Sequence, residues 1–86
     1  MDYSLQAHEV ASQVTDLESG HEAVKTIHDM RRRAMEEMRA LAEAGDNEAY
    51  GELSEVRYDL LLIIRSVQSQ MARYASAKIA AKRAAK

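Results

Sequence analysis

The chain has 86 residues, a formal net charge of −2, three glycines, no proline and no cysteine. That length allows one small domain and the lack of cysteine excludes a disulfide scaffold. Phe and Trp are absent while Ala, Glu, Arg, Met and Leu are plentiful, which favours helices over a sheet. A chain this size buries only roughly 60–65% of its unfolded surface, so its stability calls for a metal, self-association or a partner.

The opening MDYSLQAHEV is acidic and has no continuous apolar segment, so no secretory signal is expected. The expected location is cytoplasmic, with signal-less export left open. Apolar or seam positions then run Val10, Val14, Leu17, His21, Val24, Ile27, Arg31, Ala34, Met38 and Leu41. This is a near-heptad stripe with one short step at Val24. A three-residue step overwinds a seam or marks a break. Gly20 sits beside it, and "SGHE", Ser19 to Glu22, has the spacing of a capping box. Residues 1–44 therefore form either one long bent helix or a short helix (4–17) followed by a second (20–44).

The clearest boundary is "LAEAGDNEAYGEL". Gly45 suits the left-handed end of a helix, and Asp46 or Asn47 can cap the next one. A tight turn at 45–47 makes the flanking helices antiparallel neighbours. After it, Tyr50, Leu53, Val56, Leu60, Ile63, Val67, Met71, Tyr74 and Lys78 predict one helix over 47–80 or beyond. The fold expected over 1–86 is all-α: an antiparallel helical hairpin in a single domain, closing into a bundle by oligomerisation or partner binding.

Leu60 to Ile64 are five branched aliphatics in a row. Five consecutive helical residues point all round the axis, and one partner helix covers one stripe. With Leu60 and Ile63 on the seam, Leu61, Leu62 and Ile64 need a second surface. That surface is the N-terminal helix folding back, a second copy, or another protein. The candidate partner-binding set is Tyr58, Leu61, Leu62, Ile64 and Met71. Tyr50 and Tyr74 are further interface candidates, each an apolar ring with a polar tip. Met30, Met35, Met38 and Met71 are either core filling or an adaptable binding surface.

All acids lie within residues 1–59, whereas Leu60 to Lys86 holds only bases: Arg65, Arg73, Lys78, Lys82, Arg83 and Lys86. Cations near a helix C-terminus suit its macrodipole. The basic end 78–86 is also a possible dock for an acidic protein surface, nucleic acid or an anionic membrane. Arg31, Arg32 and Arg33 could contact phosphates together with Lys78, Lys82 and Arg83. Arg32 with Glu36 and Arg33 with Glu37 have ion-pair spacing, which favours a salt-bridged face instead.

No chemistry-bearing arrangement stands out. His21 and His28 are two turns apart, too far to share one ion. No nucleophile motif and no phosphate loop is present. The expectation is a non-enzyme without cofactor or metal. The run at 60–64 is far shorter than the ~20 residues of a membrane span.

The stretch AGDNEAYGELSEVRYDLLLIIRSV, Ala44 to Val67, resembles the turn and second helix of small type III secretion hairpins: needle subunits and the co-chaperones that hold them before export. In both, a tight turn precedes a Tyr-containing amphipathic helix. "NEAY" after the turn is similar to the Trp-x-Gly family of secreted hairpins, although this chain has no Trp-x-Gly. Needle turns commonly carry proline and needle C-termini are apolar, whereas this chain ends AKIAAKRAAK. The co-chaperone resemblance implies a hairpin that binds a partner chaperone and masks a polymerising subunit. The function expected is helix-mediated protein binding, as an assembly factor, chaperone or inhibitor. Its partner would be a second copy, as a homodimer or higher oligomer, or another helical protein. The alternative is a small nucleic-acid-associated regulator.

Overall fold

The structure is a computed structural model that describes residues 2–85. Three helices follow in order: α1 (Tyr3–Ser12), α2 (Leu17–Ala44) and α3 (Asn47–Ala84). The fold is all-α, an antiparallel hairpin of α2 and α3 with α1 laid along it. The whole is a rod of 63 × 15 × 14 Å.

Each helix start is set by an aspartate. The Asp2 carboxylate accepts from the Leu5 N–H at 3.0 Å and opens α1. The Asp16 carboxylate accepts from the Ser19 N–H at 2.8 Å, and Ser19 Oγ accepts in return from the Asp16 N–H at 3.1 Å. This reciprocal pair satisfies two donors that a helix start otherwise leaves free. Asp46 accepts from the Ala49 N–H at 3.1 Å and opens α3.

The break in residues 1–44 therefore lies at 13–16, not at Gly20, and the cap is Asp16 rather than Ser19. Asp16 has the extended backbone of an N-cap (φ −154, ψ −177), and Ser19 serves as the N3 member of its capping box. Gly20 is buried inside α2. A Cβ there would lie 2.5 Å from Met71 Cγ and 2.8 Å from its Sδ, so glycine is what lets α3 approach.

The turn is Gly45–Asp46. Gly45 has φ 75, its N–H reaches the Ala42 carbonyl, and the Asp46 N–H reaches that of Leu41. These two bonds close the end of α2 in the pattern a left-handed glycine permits.

The buried row of α2 is Gly20, Ala23, Ile27, Met30, Ala34 and Met38. It meets Leu60, Ile63, Ile64 and Val67 of α3. Ile27, Ala34 and Leu60 are fully excluded from solvent. The seam expected through His21, Val24, Arg31 and Leu41 is displaced by one residue, leaving His21 exposed and the other three at the edge. Small residues caused the shift: Gly20 and Ala23 carry little apolar area but allow close helix approach. Leu53 and Val56 pack on the core from the turn end.

Tyr3 and Ala7 of α1 join the same core, and Val14 joins Ala23 and Val67 in a second cluster. The N-terminal helix thus folds back as one of the three coverings expected for the 60–64 run. α3 has 38 residues against 28 in α2, so it outruns the hairpin by about 15 Å at 1.5 Å per residue. From Ser76 onward every described residue is exposed. Among the described residues no helix is long and apolar enough to cross a membrane.

Candidate protein-binding surface

A two-helix hairpin has two flanks, and α1 covers one. Tyr3 Oη donates to Glu37 Oε1 at 2.7 Å, with the ring 3% exposed. Donation to a carboxylate raises the phenol above its ordinary value of 10, and burial adds to that; Arg33 acts in the opposite sense. Further along, Gln70 Nε2 donates to the Val14 carbonyl at 3.3 Å and to Tyr74 Oη at 2.7 Å. Tyr74 Oη in turn donates to the Val14 carbonyl at 3.4 Å. So α1 and its connection lie on the Glu37 side of α2 and the Gln70 side of α3.

The opposite flank carries no element of the described chain. At about 100° per residue, Arg31 lies about 120° round α2 from Glu37, and Val24 and Met35 about 140° and 160°. On α3, Arg57 lies about 140° round from Gln70 and Leu61 about 180°. All five are half-buried, at the margin of the helix–helix contact. Gly20 against Met71 sets the register, so residues whose numbers add to about 91 lie level. Arg31 is then level with Leu60 and Arg57 with Ala34, which puts the two arginines about 4.5 Å apart along the rod. Each has its Nε buried with no hydrogen-bond partner.

The expected partner-binding residues divide. Tyr58 is 59% exposed and Leu62 43% exposed, and both point away from the hairpin. Leu61 is half-buried between them and the open flank. Together they occupy i, i+3 and i+4 on one helix face. Ile64, at 2% exposure, is a correction: it belongs to the core with Ile27 and Leu60, because its position borders the seam closely enough to interdigitate. Met71 is a second correction. It is half-buried against Gly20 and packs on Val14, Ala23 and Val67, so its contacts are internal. Met30 and Met38 are likewise core, and Tyr74 is tied to the 13–16 connection.

The basic residues do not form one site. Arg31, Arg32 and Arg33 are consecutive and diverge round α2. Arg32 pairs with Asp29 at 3.0 Å instead of with Glu36, and Glu37 serves Tyr3 rather than Arg33. Lys78, Lys82 and Arg83 are exposed on the projecting end of α3; Lys86 lies outside the described residues. Lys78 is 18 residues beyond Leu60, the level of Arg31, so roughly 27 Å separates the clusters along the rod. Among the described residues no group of three or more His, Asp or Glu could hold a metal ion.

Sequence reasoning passed over Tyr3, Gln70 and Arg57. Arg57 was legible through the seven-residue row it shares with Ile64 and Met71, both of which pack within the hairpin. Comparison with protein-family models, with curated proteins and with solved structures gives no match.

Proposed function

We propose that the protein is a non-catalytic, helix-mediated binding module that acts as a small assembly factor, chaperone or inhibitor. The observation that carries this reading is the apolar stripe of Tyr58, Leu61 and Leu62 on α3, which the hairpin leaves exposed at Tyr58 and Leu62 and half-buried at Leu61. Apolar side chains at i, i+3 and i+4 are the usual anchors of helix recognition. Burying one large aliphatic is worth roughly 1.5–3 kcal/mol, so two or three suffice for a specific contact. The likeness of Ala44–Val67 to secretion co-chaperones agrees with this class, in which a hairpin masks a polymerising subunit.

Leu62→Glu tests it. The side chain is outside the core, so circular dichroism should be unchanged. Association, with itself by light scattering or with a partner by cross-linking from position 58, should be lost. A folded Leu62→Glu protein that associates normally refutes the proposal.

A second reading rests on the projecting end of α3, where Lys82 and Arg83 are exposed beyond the hairpin, while Lys78 faces a surface pocket shared with Asp16 and Glu18. It assigns that end to nucleic acid. Binding there would weaken steeply with salt, whereas an apolar contact would not.

A further inference from the structure

We infer that the open flank of the hairpin is a seat for an acidic amphipathic helix of a partner protein, with Val24, Met35 and Leu61 as its apolar floor and Arg31 and Arg57 as its charged contacts. The inference rests on the protein-binding reading above and names the chemistry of the partner.

Three observations carry it. First, the other flank of the same hairpin already holds a helix: α1, ten residues long, seats Tyr3 and Ala7 in the groove between α2 and α3. Second, charge is segregated round the rod. By helical spacing the open flank carries Arg31 and Arg39 from α2 and Arg57 and Arg65 from α3 and no Asp or Glu, while Arg32 and Glu43 lie together at its outer edge. The acids of both helices project from the outer and α1-facing sides. Arg32, at the rim, is engaged by Asp29, which leaves Arg31 and Arg57 at the centre. Third, the Nε of both central arginines is buried without an acceptor. Burial of Nε against the hairpin fixes each side chain at the flank, where a partner's carboxylate would meet the terminal nitrogens of the planar guanidinium in paired hydrogen bonds.

The same facts argue against other occupants. A second copy seated symmetrically would set arginine against arginine, because a twofold contact pairs a surface with itself. A phosphate backbone would leave the apolar floor between the arginines with nothing to bury.

The test uses the full chain, isotope-labelled, with assigned amide resonances. The probe is a synthetic helix with Leu at i, i+3, i+4 and i+7 and Glu on both borders. Its control is the same peptide with Lys for every Glu. The acidic peptide should shift the amides of Val24, Arg31, Arg57 and Leu61. Arg57→Glu should weaken it at least about tenfold and favour the Lys peptide, since like charges across a contact repel. Arg31→Glu provides a second variant should the first lose helicity. No shift on this flank at about 1 mM peptide overturns the inference. Equal binding of both peptides overturns the charge argument while leaving the protein-binding reading intact, which Leu62→Glu tests separately. A self-associated form protecting these amides, or a DNA duplex shifting them in a salt-sensitive way, also overturns it, in favour of a second copy or of nucleic acid.

Discussion

Gly20→Ala is the sharpest test of the packing, because two opposing effects meet at one atom. In an open helix interior, alanine is favoured over glycine by about 0.8–1 kcal/mol. Here the added Cβ would lie 2.5 Å from Met71 Cγ, 2.8 Å from Sδ and 3.5 Å from Cε. The first two distances are far inside ordinary contact. Cγ is close to the α3 backbone, so the side chain cannot simply swing away. Overpacking of this kind costs roughly 1–3 kcal/mol. The repulsion wins, and the substitution should destabilise by about 1 kcal/mol, equivalent to a fall in melting temperature of roughly 4–8 °C at this size. In a Met71→Ala background the obstruction is gone, and the same change should stabilise by about 1 kcal/mol through propensity alone. The coupling between the sites is then about 2 kcal/mol, within the range for residues in direct contact. Urea unfolding of the four proteins, followed by circular dichroism, reads it. Equal effects of Gly20→Ala in both backgrounds would refute the close approach of α2 and α3 at this level.

Other expectations concern single side chains. Leu60→Ala should cost about 2–5 kcal/mol because its side chain is fully buried, whereas Leu62→Ala two residues on should cost about 0.5 kcal/mol or less; paired denaturation curves compare them. Tyr3→Phe removes the hydrogen bond to Glu37 and should cost about 1 kcal/mol. Because the folded phenol titrates above 10, its contribution is complete below pH 10 and is lost as pH rises through the folded value. An ultraviolet titration should accordingly show one late-ionising tyrosine that vanishes in Tyr3→Phe. Asp16 has the opposite sign: hydrogen bonds from Ser19 lower its pKa below 3.8, so its contribution is present above that value and is lost as pH falls through the folded one. Asp16→Asn keeps a cap without the titration, and its melting temperature should fall less between pH 5 and pH 2 than that of the parent chain.

The parts of this fold legible in the sequence are those where one residue type has one physical use. Gly45 followed by Asp46 marked the hairpin turn, because a left-handed helix end and an N-cap were both needed there. The row Leu60, Ile63, Val67 was visible because large aliphatics announce a seam. Where small residues form the contact, the apolar pattern falls silent. Gly20, read as a helix breaker, is the point of closest approach, and the seam followed Val24 and Arg31 when the buried row ran through Ala23 and Met30. The docking of α1 was legible only as one of three coverings. Its anchors, Tyr3 on Glu37 and Val14 on Gln70 and Tyr74, link residues 34, 56 and 60 positions apart, and no local spacing encodes such pairs. The same covering accounts for where the candidate residues of the 60–64 run fall. The 60–64 run looked like one adhesive patch, but the hairpin core absorbs Ile64 with the seam residues and leaves Leu61 half-buried and Leu62 exposed. What remains uncovered is narrower and more polar than five aliphatics suggested: Leu61 beside Arg57 on the open flank, Leu62 beside Tyr58 on the back of α3. A partner of the kind proposed for that surface would be selected by charge as well as by burial, since two apolar anchors alone would accept almost any amphipathic helix.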